Sequence, residues 1–182
     1  PDAAGKAISA IGSVWDKQAE KGKLTASEVD ACKARLKPCS ALTDLAGCDL
    51  VVEAIVEKLD TKQGLFKQLE GIVSPNCALV TNTSSLSVTA IAAGMQHPQR
   101  FAGYHFFNPV PLMKVVEVIA GLKTDSAVCA QLSSYARQMG HTAVQAADTP
   151  GFIVNHAGRA YGTEALRIVG EGIADFATID AI

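Results

Sequence analysis

The chain has 182 residues, of which 48% are hydrophobic and 19% are charged, a composition typical of a globular protein rather than a disordered one. Its formal net charge of -2 gives no electrostatic basis for binding nucleic acid or an acidic membrane surface. No apolar run reaches the length that spans a bilayer, so we expect neither a membrane nor a nucleic acid as a partner.

The cysteine pattern predicts reduced thiols. The five cysteines are an odd number and include no C-x-x-C pair, so we expect no disulfide framework, no zinc site and no other metal site. Scattered thiols of this kind fit a cytoplasmic compartment. They are Cys32, Cys39, Cys48, Cys77 and Cys129.

The first part of the chain is predicted to be helical. Apolar residues recur at helical spacing over residues 4–21. Thr25 and Glu28 form a capping-box pattern that opens a second helix, and Pro38 ends it. The short stretch 42–45 fits either a strand or a turn.

From residue 48 onward, strands and helices are predicted to alternate. The run 48–55 is almost continuously apolar, which is typical of a strand in a sheet covered on both faces. Alternation with short loops predicts a parallel α/β sheet. The later elements are a helix at 58–73, a strand at 78–82, a helix at 87–95 and a strand at 101–107.

Residues 103–119 predict two strands joined by a turn, because Pro109 and Pro111 interrupt the ladder between them. Side chains alternate between faces along a strand, so Glu117 comes opposite His105 if the two strands pair as neighbours. A carboxylate beside an imidazole orients the ring and favours its protonated form. Such a pair suits a general base that removes a proton from an alcohol.

The same two residues also have a structural interpretation. A histidine in an aromatic run is more often a packed core residue than a catalyst. A glutamate in an apolar strand favours the catalytic interpretation, because a buried carboxylate needs a partner. The spacing alone leaves both interpretations open.

One more helix and strand are predicted before the pattern changes. The helix begins at Thr124 and Asp125, turns Met139 inward with other apolar residues, and ends at Gly140. Residues 142–147 predict a last strand.

The character of the chain changes after that strand. Pro150 and Gly151 open a long apolar helix at about residues 152–169, and residues 179–182 look like the start of another. No strand is predicted beyond it. This change places a domain boundary near Ala147–Asp148.

Four motifs, in order and at matching spacing, resemble those of the L-3-hydroxyacyl-CoA dehydrogenases. The similarity extends over about residues 20–182. A set of four is far more specific than any single motif. The segments are 49–57 (DLVVEAIVE), 82–86 (NTSSL), 105–118 (HFFNPVP with MKVVEV) and 148–155 (DTPGFIVN).

The glycine motif of a dinucleotide-binding domain is missing. None of the 15 glycines fits G-x-G-x-x-G, and Gly170 and Gly172 follow a helix rather than a strand. In the family this motif lies upstream of where the chain begins. The resemblance therefore implies, over residues 1–147, a partial NAD-binding domain: a Rossmann-type parallel sheet that lacks its first β-α-β unit. Residues 148–182 would be the start of a helical C-terminal domain for substrate binding and dimerisation.

The resemblance implies roles for four catalytic residues. His105 would be the base that takes the proton of the 3-hydroxyl group, and Glu117 would hold its imidazole. Ser84 and Asn155 would position the reacting oxygen and the thioester carbonyl. The implied substrate is an acyl-CoA, the cofactor is NAD, and the complete protein is expected to be a homodimer.

The resemblance also implies NAD contacts from Glu57, Lys62, Ser84 and Asn108. Each has a plainer alternative. Ser84 and Ser85 fit the N-cap of the next helix, Asn108 fits a turn before proline, and Lys62 fits a solvated helix charge. Glu57 and the segments 82–85 and 105–108 nonetheless fall at or just after the ends of predicted strands, where α/β sheets bind ligands.

Other functions remain as alternatives. A non-catalytic protein could keep this fold for a structural role, or the chain could be an inactive fragment of the enzyme. A related hydroxyacid dehydrogenase would carry a catalytic lysine on the helix after the sheet, but residues 152–182 contain none.

One departure from the family pattern concerns the residue after Asn155, which is commonly arginine and here is His156. The run 159–165 is more similar to bacterial members of aromatic-acid (phenylacetate-type) catabolism than to the mitochondrial form. The expected pathways are therefore fatty-acid or aromatic-acid β-oxidation.

Overall fold

The computed structural model describes residues 3–182, which form two compact units divided between Gly47 and Cys48. The first unit contains helices α1 (Ala3–Glu20) and α2 (Ala26–Ala34). The stretch Leu42–Leu45, expected as strand or turn, is one turn of 3-10 helix.

The predicted capping box at the start of α2 is confirmed. The hydroxyl of Thr25 accepts from the backbone N–H of Glu28 at 3.2 Å, and the Glu28 carboxylate accepts from the backbone N–H of Thr25 at 2.8 Å. Two otherwise free N–H groups of the first turn are thereby satisfied.

The second unit is built on a five-stranded, mostly parallel sheet with the strand order β1-β2-β3-β4-β5. The first three strands are parallel to one another, β3 and β4 form an antiparallel hairpin, and β4 and β5 are parallel. The strands are β1 (Leu50–Glu53), β2 (Ala78–Thr81), β3 (Phe101–Phe106), β4 (Val115–Ala120) and β5 (Thr142–Ala147).

Helices connect the strands and follow the sheet. Five are found in this unit, where the sequence predicted them to within a few residues. They are α3 (Leu59–Glu70), α4 (Val88–Ala92), α5 (Ser126–Gln138), α6 (Val154–Gly170) and α7 (Phe176–Ala181).

The two faces of the central hairpin have different neighbours. On one face, α5 packs against β3 and β4 and buries Tyr104 and Leu132 completely. The Tyr104 hydroxyl donates to the Leu132 carbonyl at 3.0 Å, and burial raises its pKa to about 12. On the other face, Phe101 packs edge-on against Phe66 of α3, with ring centroids 4.6 Å apart. By strand alternation His105 points to the same face as Phe101.

Two packing predictions are wrong. Val52, expected in a sheet covered on both faces, is 44% exposed, because β1 is an edge strand among the described residues. Met139, expected to face inward, is 48% exposed, because it is the C-cap of α5, where the buried stripe has ended. The predicted helix at about residues 152–169 is α6, which begins at Val154, and none of its residues is buried. Among residues 3–182, every helix is too short or too polar to span a bilayer.

Candidate active site

The predicted pairing of His105 and Glu117 is confirmed. They are direct cross-strand partners in the β3–β4 hairpin, and Nδ1 of His105 lies 2.7 Å from Oε2 of Glu117. His105 is 6% exposed and Glu117 is fully buried. The hairpin register therefore produces a histidine–carboxylate dyad whose carboxylate water cannot reach.

The second oxygen of Glu117 is bound by the first turn of α6. Oε1 accepts the backbone N–H groups of Ile153 at 2.8 Å and Val154 at 2.9 Å. A carboxylate is stabilised at a helix N-terminus, where free N–H groups carry partial positive charge. Because an ionised carboxylate only accepts, we assign the Nδ1 proton to His105, which leaves Nε2 as the free, basic nitrogen.

Aromatic rings fix the plane of the imidazole. The ring of His105 meets Phe107 edge-on at 4.6 Å between centroids and Phe152 at 5.6 Å. Phe152 is buried, and its φ of 48° lies in the left-handed region, directly after Gly151 at 83°. This sharp turn lets the chain leave β5, place Phe152 beside His105 and begin α6 over Glu117.

A second polar group lies after the ends of β1 and β2. Lys62 is 1% exposed, so the interpretation of Lys62 as a solvated helix charge is wrong. Its ammonium lies 2.6 Å from Oε1 of Glu53 and 3.1 Å from Oε2 of Glu57. We call these three residues the Glu53–Lys62–Glu57 triad.

The outer carboxylate of this triad is held by hydroxyl groups from the loop after β2. Oε1 of Glu57 accepts from Thr83 and from Ser85, the latter at 3.2 Å. Partial burial works to raise the pKa of Glu57, but the hydrogen bonds from Thr83, Lys62 and Ser85 outweigh it, and the net shift is downward. Glu57 therefore presents an ionised carboxylate, 40% exposed, at the carboxyl edge of the sheet.

The two polar groups are joined through β2 and β3. The side-chain oxygen of Asn82 accepts the backbone N–H of Phe106 at 2.8 Å, so the loop after β2 is fixed to the end of the strand that carries His105. The dyad and the triad thus share the carboxyl edge of the parallel strands, where open α/β sheets bind ligands.

The other predicted site residues have free side-chain groups. Among the described residues, nothing hydrogen-bonds the half-buried Ser84 hydroxyl or the half-buried Asn155 amide, and Asn108 is exposed in a bend. The N-cap of α4 is Ser87, whose hydroxyl accepts from Ala90, so the N-cap interpretation of Ser84 and Ser85 is wrong. Half-buried polar groups without a partner suit binding to a ligand.

Sequence reasoning missed several members of the site. Glu53 carries a signal that could have identified it, a carboxylate inside an apolar strand, which requires a partner. Thr83 and Phe152 carry no comparable signal, because their roles depend on contacts between segments far apart in the chain. Within residues 3–182, no group of three His, Cys, Asp or Glu side chains is placed to hold a metal ion.

The sheet and the dyad together define an α/β protein with a buried histidine–carboxylate pair at the carboxyl edge of its parallel strands. Comparison with known proteins agrees with that class. Residues 1–149 match the family described as 3-hydroxyacyl-CoA dehydrogenase, NAD binding domain, and residues 151–182 match 3-hydroxyacyl-CoA dehydrogenase, C-terminal domain. The chain belongs to the 3-hydroxyacyl-CoA dehydrogenase family, and residues 1–149 match the NAD binding domain of that family, so the predicted family and cofactor are confirmed.

Individual relatives show the same relationship. The chain is 44% identical over 176 residues to 3-hydroxyadipyl-CoA dehydrogenase of Escherichia coli (strain K12), covering 97% of this chain and 37% of that protein. It is 40% identical over 182 residues to a probable 3-hydroxybutyryl-CoA dehydrogenase of Bacillus subtilis (strain 168), covering 100% and 63%. The chain therefore spans between about a third and two thirds of the length of these curated relatives.

The fold is shared with solved structures. The crystal structure of 3-hydroxybutyryl-CoA dehydrogenase from Escherichia coli K12 superposes with a TM-score of 0.92 at 44% identity, over 96% of this chain and 37% of that one. That of (S)-3-hydroxybutyryl-CoA dehydrogenase from Ralstonia eutropha gives 0.91 at 36% identity, over 98% and 63%. The Rossmann-like fold that the sequence predicted is confirmed.

Proposed function

We propose that the protein oxidises an L-3-hydroxyacyl-CoA to the 3-oxoacyl-CoA with NAD, and that His105 is the general base. The buried dyad, with Nδ1 of His105 2.7 Å from a fully buried Glu117, carries this proposal. Three hydrogen bonds on Glu117 hold the imidazole with Nε2 free, and a free basic nitrogen is the group that alcohol oxidation needs.

The residues present fit the nicotinamide part of NAD. Glu57 offers an ionised acceptor, and Ser84 and Asn108 offer side-chain polar groups that hydrogen-bond nothing within residues 3–182, all after strand ends. Lys62, which is buried, would act on the cofactor indirectly, through its contact with Glu57. The sequence contains no glycine motif for the pyrophosphate, so we assign these residues only to the ribose and nicotinamide side.

Proton transfer is the step that this chain performs. The chemistry that bound NAD would supply is an acceptor for the hydride from C3 of the substrate. Nε2 of His105 takes the proton of the 3-hydroxyl, and the positive charge that develops on the imidazole is stabilised by Glu117 at Nδ1. In the reverse direction the same nitrogen returns the proton to the oxygen on C3.

Ser84 and Asn155 are proposed to position the substrate. Each has a half-buried polar group that hydrogen-bonds nothing among the described residues. A hydroxyl and an amide can donate to the reacting oxygen and to the thioester carbonyl. Asn155 follows directly on the two residues whose N–H groups bind Glu117, so substrate and dyad would be ordered by the same helix turn.

The wider assignments are also proposals. Residues 1–147 are assigned to the NAD-binding domain and 148–182 to the start of the C-terminal domain, which the change of family match between residues 149 and 151 supports. Because relatives are named for 3-hydroxyadipyl-CoA and 3-hydroxybutyryl-CoA, we propose an aliphatic or carboxylated acyl group from fatty-acid or aromatic-acid (phenylacetate-type) β-oxidation. We further propose a cytoplasmic homodimer.

The test is the reduction of acetoacetyl-CoA by NADH in the full-length protein. His105→Ala is expected to abolish turnover while NADH binding persists, because the base is lost and the cofactor contacts remain. His97→Ala, at an exposed histidine, is the matched control and should turn over normally. Retained turnover in the His105 variant would exclude it as the base, and an inactive wild type would favour a structural role.

A further inference from the structure

The inner half of the Glu53–Lys62–Glu57 triad is sealed inside the protein. Glu53 is 3% exposed and has every oxygen bound: Oε2 accepts the Thr81 hydroxyl at 2.7 Å, and Oε1 accepts the Ile55 N–H at 2.5 Å as well as the Lys62 ammonium at 2.6 Å. A buried carboxylate so completely partnered fixes the position of whatever it binds. Here it fixes the ammonium of Lys62.

The triad contains two carboxylates and one ammonium, so its charges sum to one negative unit. Lys62 lies closer to Glu53, at 2.6 Å, than to Glu57, at 3.1 Å. Glu53 therefore takes most of the neutralising effect of the ammonium. The excess negative charge lies on Glu57, the one member of the triad that is substantially exposed at the carboxyl edge of the sheet.

We infer, resting on the proposed function of Glu57 and Lys62 at the cofactor, that Glu53 is a positioning residue that makes the site favour oxidised over reduced NAD. The oxidised nicotinamide ring is a cation and the reduced ring is neutral. A negative charge at the nicotinamide side therefore attracts the oxidised form selectively. Without the charge of Glu53, the ammonium of Lys62 would neutralise Glu57 and the preference would fall.

The test compares the dissociation constants of NAD⁺ and NADH in the full-length protein, wild type against Glu53→Gln. Glutamine keeps the shape of the side chain, its oxygen can accept from Ile55, and the Thr81 hydroxyl can rotate to accept from its amide. We expect NAD⁺ binding to weaken on the order of tenfold more than NADH binding, because the variant removes one unit of negative charge that attracts only the cationic ring.

Two variants separate charge from structure. Thr81→Val removes a hydrogen bond of Glu53 and keeps the charge of Glu53. Any loss of affinity in this variant should therefore be equal for NAD⁺ and NADH. Glu70→Gln removes the same charge at the opposite end of α3, where Glu70 accepts the N–H groups of Gln96 and His97, and should leave the ratio unchanged.

The outcomes distinguish this inference from the proposed function. A selective loss of NAD⁺ affinity in Glu53→Gln, absent in the other two variants, supports it. If the ratio of the NAD⁺ and NADH dissociation constants were unchanged in Glu53→Gln, Glu53 would have only a structural role, and the proposed function would be unaffected. Wild-type protein that binds neither form would overturn both.

Discussion

Glu117 shows how a single side chain sets the chemistry of the site. One of its oxygens faces Nδ1 of His105, and the other accepts two backbone N–H groups, from Ile153 and Val154. The two oxygens therefore have different requirements. One oxygen must accept hydrogen bonds from the N–H groups of the helix, and the other must accept a hydrogen bond from the imidazole. Among side chains of this shape, only a carboxylate has an acceptor on both sides.

Glu117→Gln is expected to lower kcat by about 10²- to 10⁴-fold, the range that loss of acid–base catalysis costs. The amide oxygen of glutamine would have to face the N–H groups of α6, so its NH₂ group would face Nδ1. That arrangement moves the proton of His105 to Nε2, the atom that must accept the proton of the substrate. Steady-state kinetics with acetoacetyl-CoA measure the effect.

The control for this variant is Glu164→Gln, which changes an exposed carboxylate on α6 that accepts hydrogen bonds from Arg167. NADH binding should persist in both variants, because neither is proposed to touch the cofactor. A kcat for Glu117→Gln within about threefold of wild type would contradict the tautomer assignment, since general-base catalysis contributes more than that.

At the scale of whole elements, most of this fold could be predicted because periodicity is a local property. The sequence predicts the strands and helices of the second unit to within a few residues. Side-chain alternation predicts that Glu117 comes opposite His105 if the two strands pair as neighbours, and they do. The burial of Lys62 could not be predicted in this way. It depends on Glu53 and Glu57 closing around it from another element, and helical spacing carries no information about that contact.

The exposed surface of α6 marks the same limit. Its apolar residues predicted a helix correctly, but periodicity cannot say what covers a face. Likewise, the contact of Ile153 and Val154 with Glu117 joins residues that are 36 and 37 positions apart. The candidate dyad was therefore predictable, whereas its support from the start of α6 was not.

The packing of α4 onto the hairpin makes a prediction about glycine. A Cβ atom on Gly103 would lie 2.9 Å from Ile119 Cβ and 2.9 Å from Val88 Cγ2, both fully buried. Gly103→Ala should therefore destabilise the protein by about 1–3 kcal/mol through overpacking. Urea unfolding followed by circular dichroism measures this change.

Gly64 provides the matched comparison for that experiment. It lies inside α3, and a Cβ atom there would meet nothing within 4 Å. Gly64→Ala should stabilise the protein by about 0.5–1 kcal/mol, because alanine loses less conformational freedom in a helix. A Gly103→Ala variant that was as stable as wild type, or more stable, would refute the close approach of α4 to β3.

For the second unit as a whole, residues 148–154 connect three parts of the site region. The segment leaves β5, and Asp148 accepts from Ser87, Val88 and Thr89 at the start of α4, each at 2.8 Å. A few residues later, the same segment binds Glu117. Stability and site geometry therefore both depend on this short segment, which is held by the carboxylates of Asp148 and Glu117.

This connection predicts a dependence of stability on pH. Burial works to raise the pKa of Asp148, but its hydrogen bonds outweigh burial and hold the pKa below the usual 3.8. A lowered folded pKa means that Asp148 contributes its full stabilisation above about 3.8, and that the contribution is lost as the pH falls through the lower, folded value. Asp148→Asn should therefore cost about 1–3 kcal/mol near neutral pH, where a carboxylate acceptor is replaced by an amide.

The difference in unfolding free energy between wild type and Asp148→Asn should shrink as the pH falls below about 3.8, because wild type then loses the charge that the variant never had. All other carboxylates are common to both proteins, so their titration cancels in the difference. Asp180→Asn, at an exposed carboxylate, is the control variant and is measured under the same conditions. A difference that stayed constant across that range would mean that the charge of Asp148 does not anchor α4, and that its hydrogen bonds act independently of ionisation.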